Sequence, residues 1–152
     1  MSDKSIKNDS GQALHDLFRE LFALHSALSV IMDKVHEQAG LNTSQHKIMR
    51  TLIQFEPATV PDMGARLNVS RQFVQTVCND LLARGLIEFT ENPRHKRSKL
   101  VKSTETGRIT FRKARQKENQ IIEQALPEIN IERATEAREL LKCIRLALNE
   151  GP

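Results

Sequence analysis

Between Val60 and Lys102 the spacing of apolar residues changes from helical to strand-like, and this change constrains the fold more than anything else in the chain. A short apolar-periodic segment from about Val60 to Leu67 turns Met63 and Leu67 inward. Asn68-Val69-Ser70 follows, where Asn68 offers a turn and Ser70 a helix N-cap. The next segment carries Val74, Val77, Cys78 and Leu81 at i, i+3, i+4 and i+7, one buried face of a helix. Gly85 stops it, with Arg84 in the last turn, as helix C-termini prefer. Leu86-Ile87-Glu88-Phe89 then reads as a strand, and Leu100-Val101 as its return. The order is helix, turn, helix, hairpin.

The polar side of the second helix and the tip of the hairpin give that order a chemical meaning. Arg71, Gln72, Gln75, Thr76 and Asn79 lie opposite the apolar set, and these residue types hydrogen-bond base edges and phosphates. Asp80 is the only carboxylate between Ser70 and Gly85, so little on this face repels phosphate. Phe73 has two readings, packing at the core edge or contact with a thymine methyl, and partial packing is favoured. Pro93 suits a turn, and from there to Lys102 the hairpin carries Arg94, Lys96, Arg97, Lys99 and Lys102 with no acid. Such a loop suits a narrow, negative minor groove or the flanking phosphates. Alone it would read as a solvated charge run; beside a helix-turn-helix the nucleic-acid reading outweighs that. The expected fold class is mainly α with a small two-stranded β wing, a winged helix-turn-helix. Ser70, Arg71, Gln72, Gln75, Thr76, Asn79, Arg94, Lys96, Arg97 and Lys99 are the candidate DNA-contacting residues.

Residues 41–107 resemble the core of the MarR family of bacterial transcriptional regulators. The resemblance rests on Leu41-Asn42-Thr43-Ser44-Gln45, Leu67-Asn68-Val69-Ser70-Arg71, Leu81-Leu82-Ala83-Arg84-Gly85-Leu86-Ile87, Asn92-Pro93-Arg94-His95-Lys96-Arg97-Ser98 and Thr104-Glu105-Thr106-Gly107. Their order and spacing are more specific than any one of them. The resemblance implies that Arg97 takes the place of the wing arginine that enters the minor groove, and that Ser70 to Thr76 begin the recognition helix. It also implies aromatic or phenolic acid effectors bound between dimerisation helices and DNA-binding lobe, for which His15, Phe18, Phe22, His25, Met49 and Phe111 are candidate lining residues. Aromatic residues at helical spacing are more often plain core. Two positions depart from the family pattern. His95 stands where an Asp usually orients a wing arginine, which leaves wing geometry open and introduces a titratable group. Ser103 stands where Leu is usual, removing one expected packing contact at the wing base.

The flanks of the reading segment predict how it is held. Residues 1–11 are polar and expected to be unstructured or frayed. From about Gln12 to Gln38 a long helix carries Leu14, Leu17, Leu21, Leu24, Leu28, Ile31 and Val35 as a heptad seam, widened by Phe18, Phe22 and Met32, and Gly40 ends it. A second helix spans Ser44 to Phe55, with Ile48, Met49 and Leu52 inward and Pro57 beyond its end. After the hairpin, Thr104 to about Ala125 forms a helix with Ile109, Phe111, Ile121 and Ile122, broken by Pro127. A last helix from about Ile131 to Leu148 presents Ala137, Leu141, Ile144 and Leu148. The expected layout is a single domain, with residues 12–40 and 104–149 as dimerisation helices around a DNA-binding lobe at 41–103. A chain of 152 residues with 39% hydrophobic content cannot hide both greasy ends alone, so a homodimer is expected. Its two-fold axis would set two recognition helices about 34 Å apart on a pseudo-palindromic double-stranded operator. The alternative is that the seams only close an intramolecular core.

Charge and motif content exclude other classes. The net charge of +4 is concentrated in the wing, and neither a membrane-spanning run nor an apolar signal core is present, so a cytoplasmic protein is expected. Cys78 and Cys143 are too few and too far apart for a disulfide framework, and redox sensing by either is not favoured. There is no Gly-rich phosphate loop, H-E-x-x-H, C-x-x-C or Gly-x-Ser-x-Gly, so no enzyme and no cofactor are expected. His15, His25, His36, His46 and His95 show no pair at i, i+4. Convergence of the first four into a zinc site is the alternative to unrelated surface or packed histidines, and the latter reading is preferred, with no metal ligands assigned. The expected function is a sequence-specific DNA-binding regulator, a repressor relieved by a small molecule. The rival is a winged-helix protein-interaction module that does not bind DNA itself.

Overall fold

The computed structural model describes residues 3–150. Six helices and three short strands follow in the order α1 (Asp3–Gln38), α2 (Thr43–Phe55), β1 (Ala58–Thr59), α3 (Val60–Leu67), α4 (Arg71–Ala83), β2 (Ile87–Thr90), β3 (Leu100–Ser103), α5 (Glu105–Ala125) and α6 (Ile131–Glu150). They divide into one compact unit that ends at Glu118 and a second that begins at Asn119. No described helix is long and apolar enough to cross a membrane.

Helix α1 begins at Asp3, so the expected unstructured start is corrected for residues 3–11, while residues 1 and 2 lie outside the described residues. This stretch holds no proline, and Gly11 costs only about 1 kcal/mol relative to alanine. Extending a helix already nucleated by the Leu14 seam is cheaper than starting one. The helix stops where Gly40 takes φ +86° and the Leu41 N–H reaches back to the His36 carbonyl at 3.2 Å. Leu41 is buried beneath that turn, as a Schellman end prefers.

Each helix of the reading segment is capped by its own sequence. Asn42 and Gln45 form a capping box on α2, and Thr59 and Asp62 form another on α3. The two Thr59 hydrogen bonds hold the Asp62 carboxyl below the usual carboxylate value. Asn68 ends α3 in the left-handed region at φ 52°, and the Ser70 hydroxyl accepts the Phe73 N–H at 3.1 Å to start α4. Gly85 ends α4 at φ +67°. Arg84, its C-cap, donates to Gln45 Oε1 at 2.8 Å and to the Gly40 carbonyl at 2.7 Å, tying the end of α4 to the turn between α1 and α2.

One core closes this lobe. Ile48, Met49, Leu52, Met63, Val74, Cys78, Leu81 and Val101 are fully buried, joined by Ile87, Phe111 and Ala114. The sheet has three antiparallel strands in the order β1-β3-β2 where two were expected: Ala58 pairs with Val101 and Thr59 with Leu100. Two residues carry no periodicity, so β1 has no signature of its own.

The base of the wing is latched by polar groups. Ser103 is buried, and its N–H and hydroxyl donate to Glu56 Oε2 at 2.9 and 2.8 Å. Arg108 on α5 donates to the other Glu56 oxygen and to Ser103 Oγ. The packing contact expected to be missing at Ser103 is thus replaced by a satisfied hydrogen-bond cluster. Thr104 donates to the Gly85 carbonyl at 2.7 Å and caps the Gly107 N–H at 3.0 Å. A Cβ on Gly107 would fall 1.9 Å from the Leu86 carbonyl oxygen, so α5 can seat here only on glycine.

Candidate nucleic-acid interface

The capping chemistry that starts α4 also aims it. Burial of Val74, Val77, Cys78 and Leu81 turns the opposite face outward, and Arg71, Gln72, Gln75, Thr76 and Asn79 are all exposed on it. Gln75 Nε2 donates to Asn79 Oδ1 at 2.9 Å, which fixes two amides side by side. The Thr76 hydroxyl donates to the Gln72 carbonyl at 3.0 Å, leaving its methyl and oxygen lone pair for a ligand. The Ser70 hydroxyl is engaged as the cap. Phe73 keeps 38% of its surface exposed, a partly packed aromatic at the rim.

Arg94, Lys96, Arg97 and Lys99 are exposed on the wing, and among the described residues none of them forms an ion pair. The turn is held by the Asn92 side chain and by backbone groups: Asn92 Oδ1 accepts the Arg94 N–H at 3.0 Å, its carbonyl accepts the His95 N–H, and the His95 carbonyl accepts the Ser98 N–H. An Asx turn at Asn92 organises this wing, whose geometry the His95 departure left open.

Between helix and wing lies a cleft of about 640 Å³ lined by Val60, Pro61, Arg71, Gln72, Gln75, Phe89, Arg97, Ser98 and Lys99. A second, of about 720 Å³, runs beneath the wing between Arg71 and Asp62 on one side and Arg94 and His95 on the other. Arg71, Gln72, Gln75, Arg97 and Lys99 therefore line one cleft, Arg94 lines its neighbour, and Ser70, Thr76, Asn79 and Lys96 line neither. Pro61, Arg71 and Ser98 border both clefts, and of these only Arg71 was among the expected contacts.

The six candidate effector residues are not brought together as one lining. Met49 and Phe111 are buried in the core, Phe18 is partly buried on α1, and His15, Phe22 and His25 are exposed. None of the six borders the two clefts beside the wing. Cys78 is buried, and burial pushes its thiol up to about 11, an inert core position; Cys143 is exposed.

The histidines require a correction. His15, His25 and His95 are exposed, but His36 and His46 are buried, stack with ring centroids 4.4 Å apart, and face Glu118. They are neither unrelated nor on the surface. Burial, first, holds the His46 imidazole below its usual value; the Glu118 carboxylate opposes this, and His36, Arg50 and Arg115 reinforce it. Their separation in sequence, and the lack of an i, i+4 pair, hid the convergence: α1, α2 and α5 each contribute one group.

Residues 39–98 match the model of the MarR family. Over those residues the chain is similar to the MarR family. It is 35% identical over 92 residues to the uncharacterized protein Rv2011c of Mycobacterium tuberculosis, a match covering 60% of this chain and 64% of that one. The match thus spans just under two thirds of the length of the curated relatives, which include the same protein in Mycobacterium bovis. Among solved structures, the MarR family transcription regulator SP03579 superposes with TM-score 0.77 at 20% identity, over 97% of this chain and 99% of its own. Staphylococcus aureus MarR, solved in complex with salicylate and kanamycin, gives TM-score 0.77 at 16% identity, over 93% and 95%. These likenesses extend the MarR fold over nearly the whole chain.

Proposed function

We propose that this chain is a sequence-specific double-stranded DNA-binding transcriptional regulator, a repressor acting as a homodimer. The observation that carries this reading is the exposed, acid-poor face of α4 set beside a wing whose cations form no ion pair among the described residues. Phosphates compete poorly for a cation already paired within the protein; Arg94, Lys96, Arg97 and Lys99 are unpaired. Wing and helix-end contacts supply affinity, and Gln72, Gln75, Arg71 and Asn79 supply base preference.

The homodimer reading is supported by apolar surface that one chain leaves open. In the first unit Phe22 is 75% and Val30 62% exposed on α1; in the second, Ile131 is 82% and Leu148 71% exposed on α6. Large exposed apolar faces of this kind mark interfaces. A two-fold pair would present its recognition helices about 34 Å apart to a pseudo-palindromic operator. Relief by a small aromatic or phenolic effector is the expected control, and the salicylate held by the Staphylococcus aureus MarR structure is of that chemical class.

A mobility-shift titration against the DNA upstream of the chain's own coding sequence, repeated across salt concentrations, tests the proposal. Specific retardation that survives competitor DNA and weakens steeply with salt is expected. Absence of any specific complex, with and without salicylate, would replace it with a protein-interaction module.

A further inference from the structure

We infer that His36, His46 and Glu118 form a binding site for a divalent transition metal of the zinc class. The two imidazoles come from the end of α1 and the first turns of α2, and the carboxylate from α5, all within the first compact unit. His36 Nε2 lies 3.7 Å from Glu118 Oε1 and His46 Nε2 lies 3.3 Å from Glu118 Oε2. One candidate ligand atom from each residue falls within 4.8 Å of the others. A tetrahedral zinc with bonds of about 2.0–2.1 Å places its ligands roughly 3.3 Å apart, so small side-chain movements close the set.

Glu118 is the group that both ring nitrogens face, at ion-pair distance but without hydrogen-bond geometry. Both Nε2 atoms are buried and neither has a hydrogen-bond partner. Such atoms are rare in native interiors, and an ion is one of the few things that satisfies two lone pairs and a carboxylate together. His36 is prepared for ligation from behind. Thr43 donates its hydroxyl proton to the Asp33 carboxylate, so its oxygen is the acceptor in the 3.0 Å contact with His36 Nδ1. The ring proton therefore sits on Nδ1, and the Nε2 lone pair faces Glu118. An outer carboxylate acting through a hydroxyl on the remote ring nitrogen is what orients ligating imidazoles in general.

The surroundings restrict the site further. Phe111 packs against His46 with ring centroids 4.9 Å apart, covering it with an apolar wall. Lys117 donates to the Gln38 carbonyl, fixing α5 against the end of α1 beside Glu118. Two neutral nitrogens and one carboxylate suit zinc and its neighbours rather than magnesium or calcium, which require oxygen sets. Three protein ligands leave a fourth position for water or a small anion.

Isothermal titration of chelator-treated full-length chain with zinc chloride is the test, and it needs no DNA. Saturable binding of about one ion per chain is expected, with a rise in Tm by mass action. Glu118→Gln and His46→Gln should each abolish it, and Thr43→Val should weaken it about tenfold. A cobalt titration of the unaltered chain, read by the strong visible bands of a four-coordinate site, keeps the question answerable where a variant misfolds. No zinc or cobalt uptake by the unaltered chain at micromolar metal overturns the inference. So does uptake that survives both Glu118→Gln and His46→Gln, or that is lost in His15→Gln/His25→Gln.

Discussion

The DNA-facing lobe and the apolar face of α1 answer the same problem, hiding nonpolar surface, in opposite ways. In the lobe, short helices capped by Asn42, Thr59 and Ser70 converge on a core whose central residues, Leu52, Met63, Val74 and Leu81 among them, have no exposed surface. On α1 the seam that ends in buried Val35 runs back through Leu28, Leu24 and Leu14, which remain 42%, 49% and 46% exposed. The α6 helix, taken by itself, shows the same condition at Leu140 and Leu146. The lobe buries its core within its own chain; the long helices leave much of their apolar faces exposed, as the proposed homodimer requires. Folding and assembly should therefore be separable by mutation.

The largest effect is expected from Leu52→Ala, which leaves a cavity in the lobe core. It should cost about 2–5 kcal/mol of unfolding free energy in a urea titration, with loss of DNA binding as a consequence. Phe22→Glu attacks the other region. In the proposed homodimer, placing a charge in this apolar face should raise the dissociation constant about a hundredfold by light scattering or sedimentation, while lobe stability stays within about 0.5 kcal/mol. If Phe22→Glu left assembly untouched, the contrast between the two regions would collapse, because α1 would then need no cover.

Smaller effects divide the lobe surface from its core. Gln75→Ala should lose about 1–3 kcal/mol of discrimination at one position in each half-site, read by competition with operator variants. Arg97→Ala should instead weaken binding across sequences and lower the salt slope by about one unit. Neither should move Tm. Smallest of all, Ser103→Ala should cost about 1 kcal/mol by depriving Glu56 of one donor, seen as faster amide exchange in β2 and β3 rather than as unfolding.

How far the sequence could be read depended on how local each signal was. Helix α4 was legible because its cap, its four buried positions and its terminal Gly85 lie within one continuous segment. The wing was legible as a charge pattern, but its geometry was not. Asn92 holds the turn through its own neighbours, and Ser103 finds Glu56, 47 residues earlier in the chain. Strand β1 is too short for any period to show. Polarity suggested a ragged start to the chain, yet nothing in residues 3–11 stops a helix already under way. His36, His46 and Glu118 were the least readable, since three helices must pack before their side chains meet. Effector candidates chosen by aromatic type fell partly into the core, because type alone does not separate a lining from a filling.

The contact between Gly107 and Leu86 has a mechanical consequence. With backbone against backbone and no side chain between, the junction has no slack to absorb a tilt of the first turn of α5. Leu86 immediately precedes the first strand of the wing, so such a tilt is delivered to the cationic tip as a lever delivers it, without loss to side-chain rearrangement. An alanine here would pry that fulcrum apart, and the prong would no longer follow the shaft.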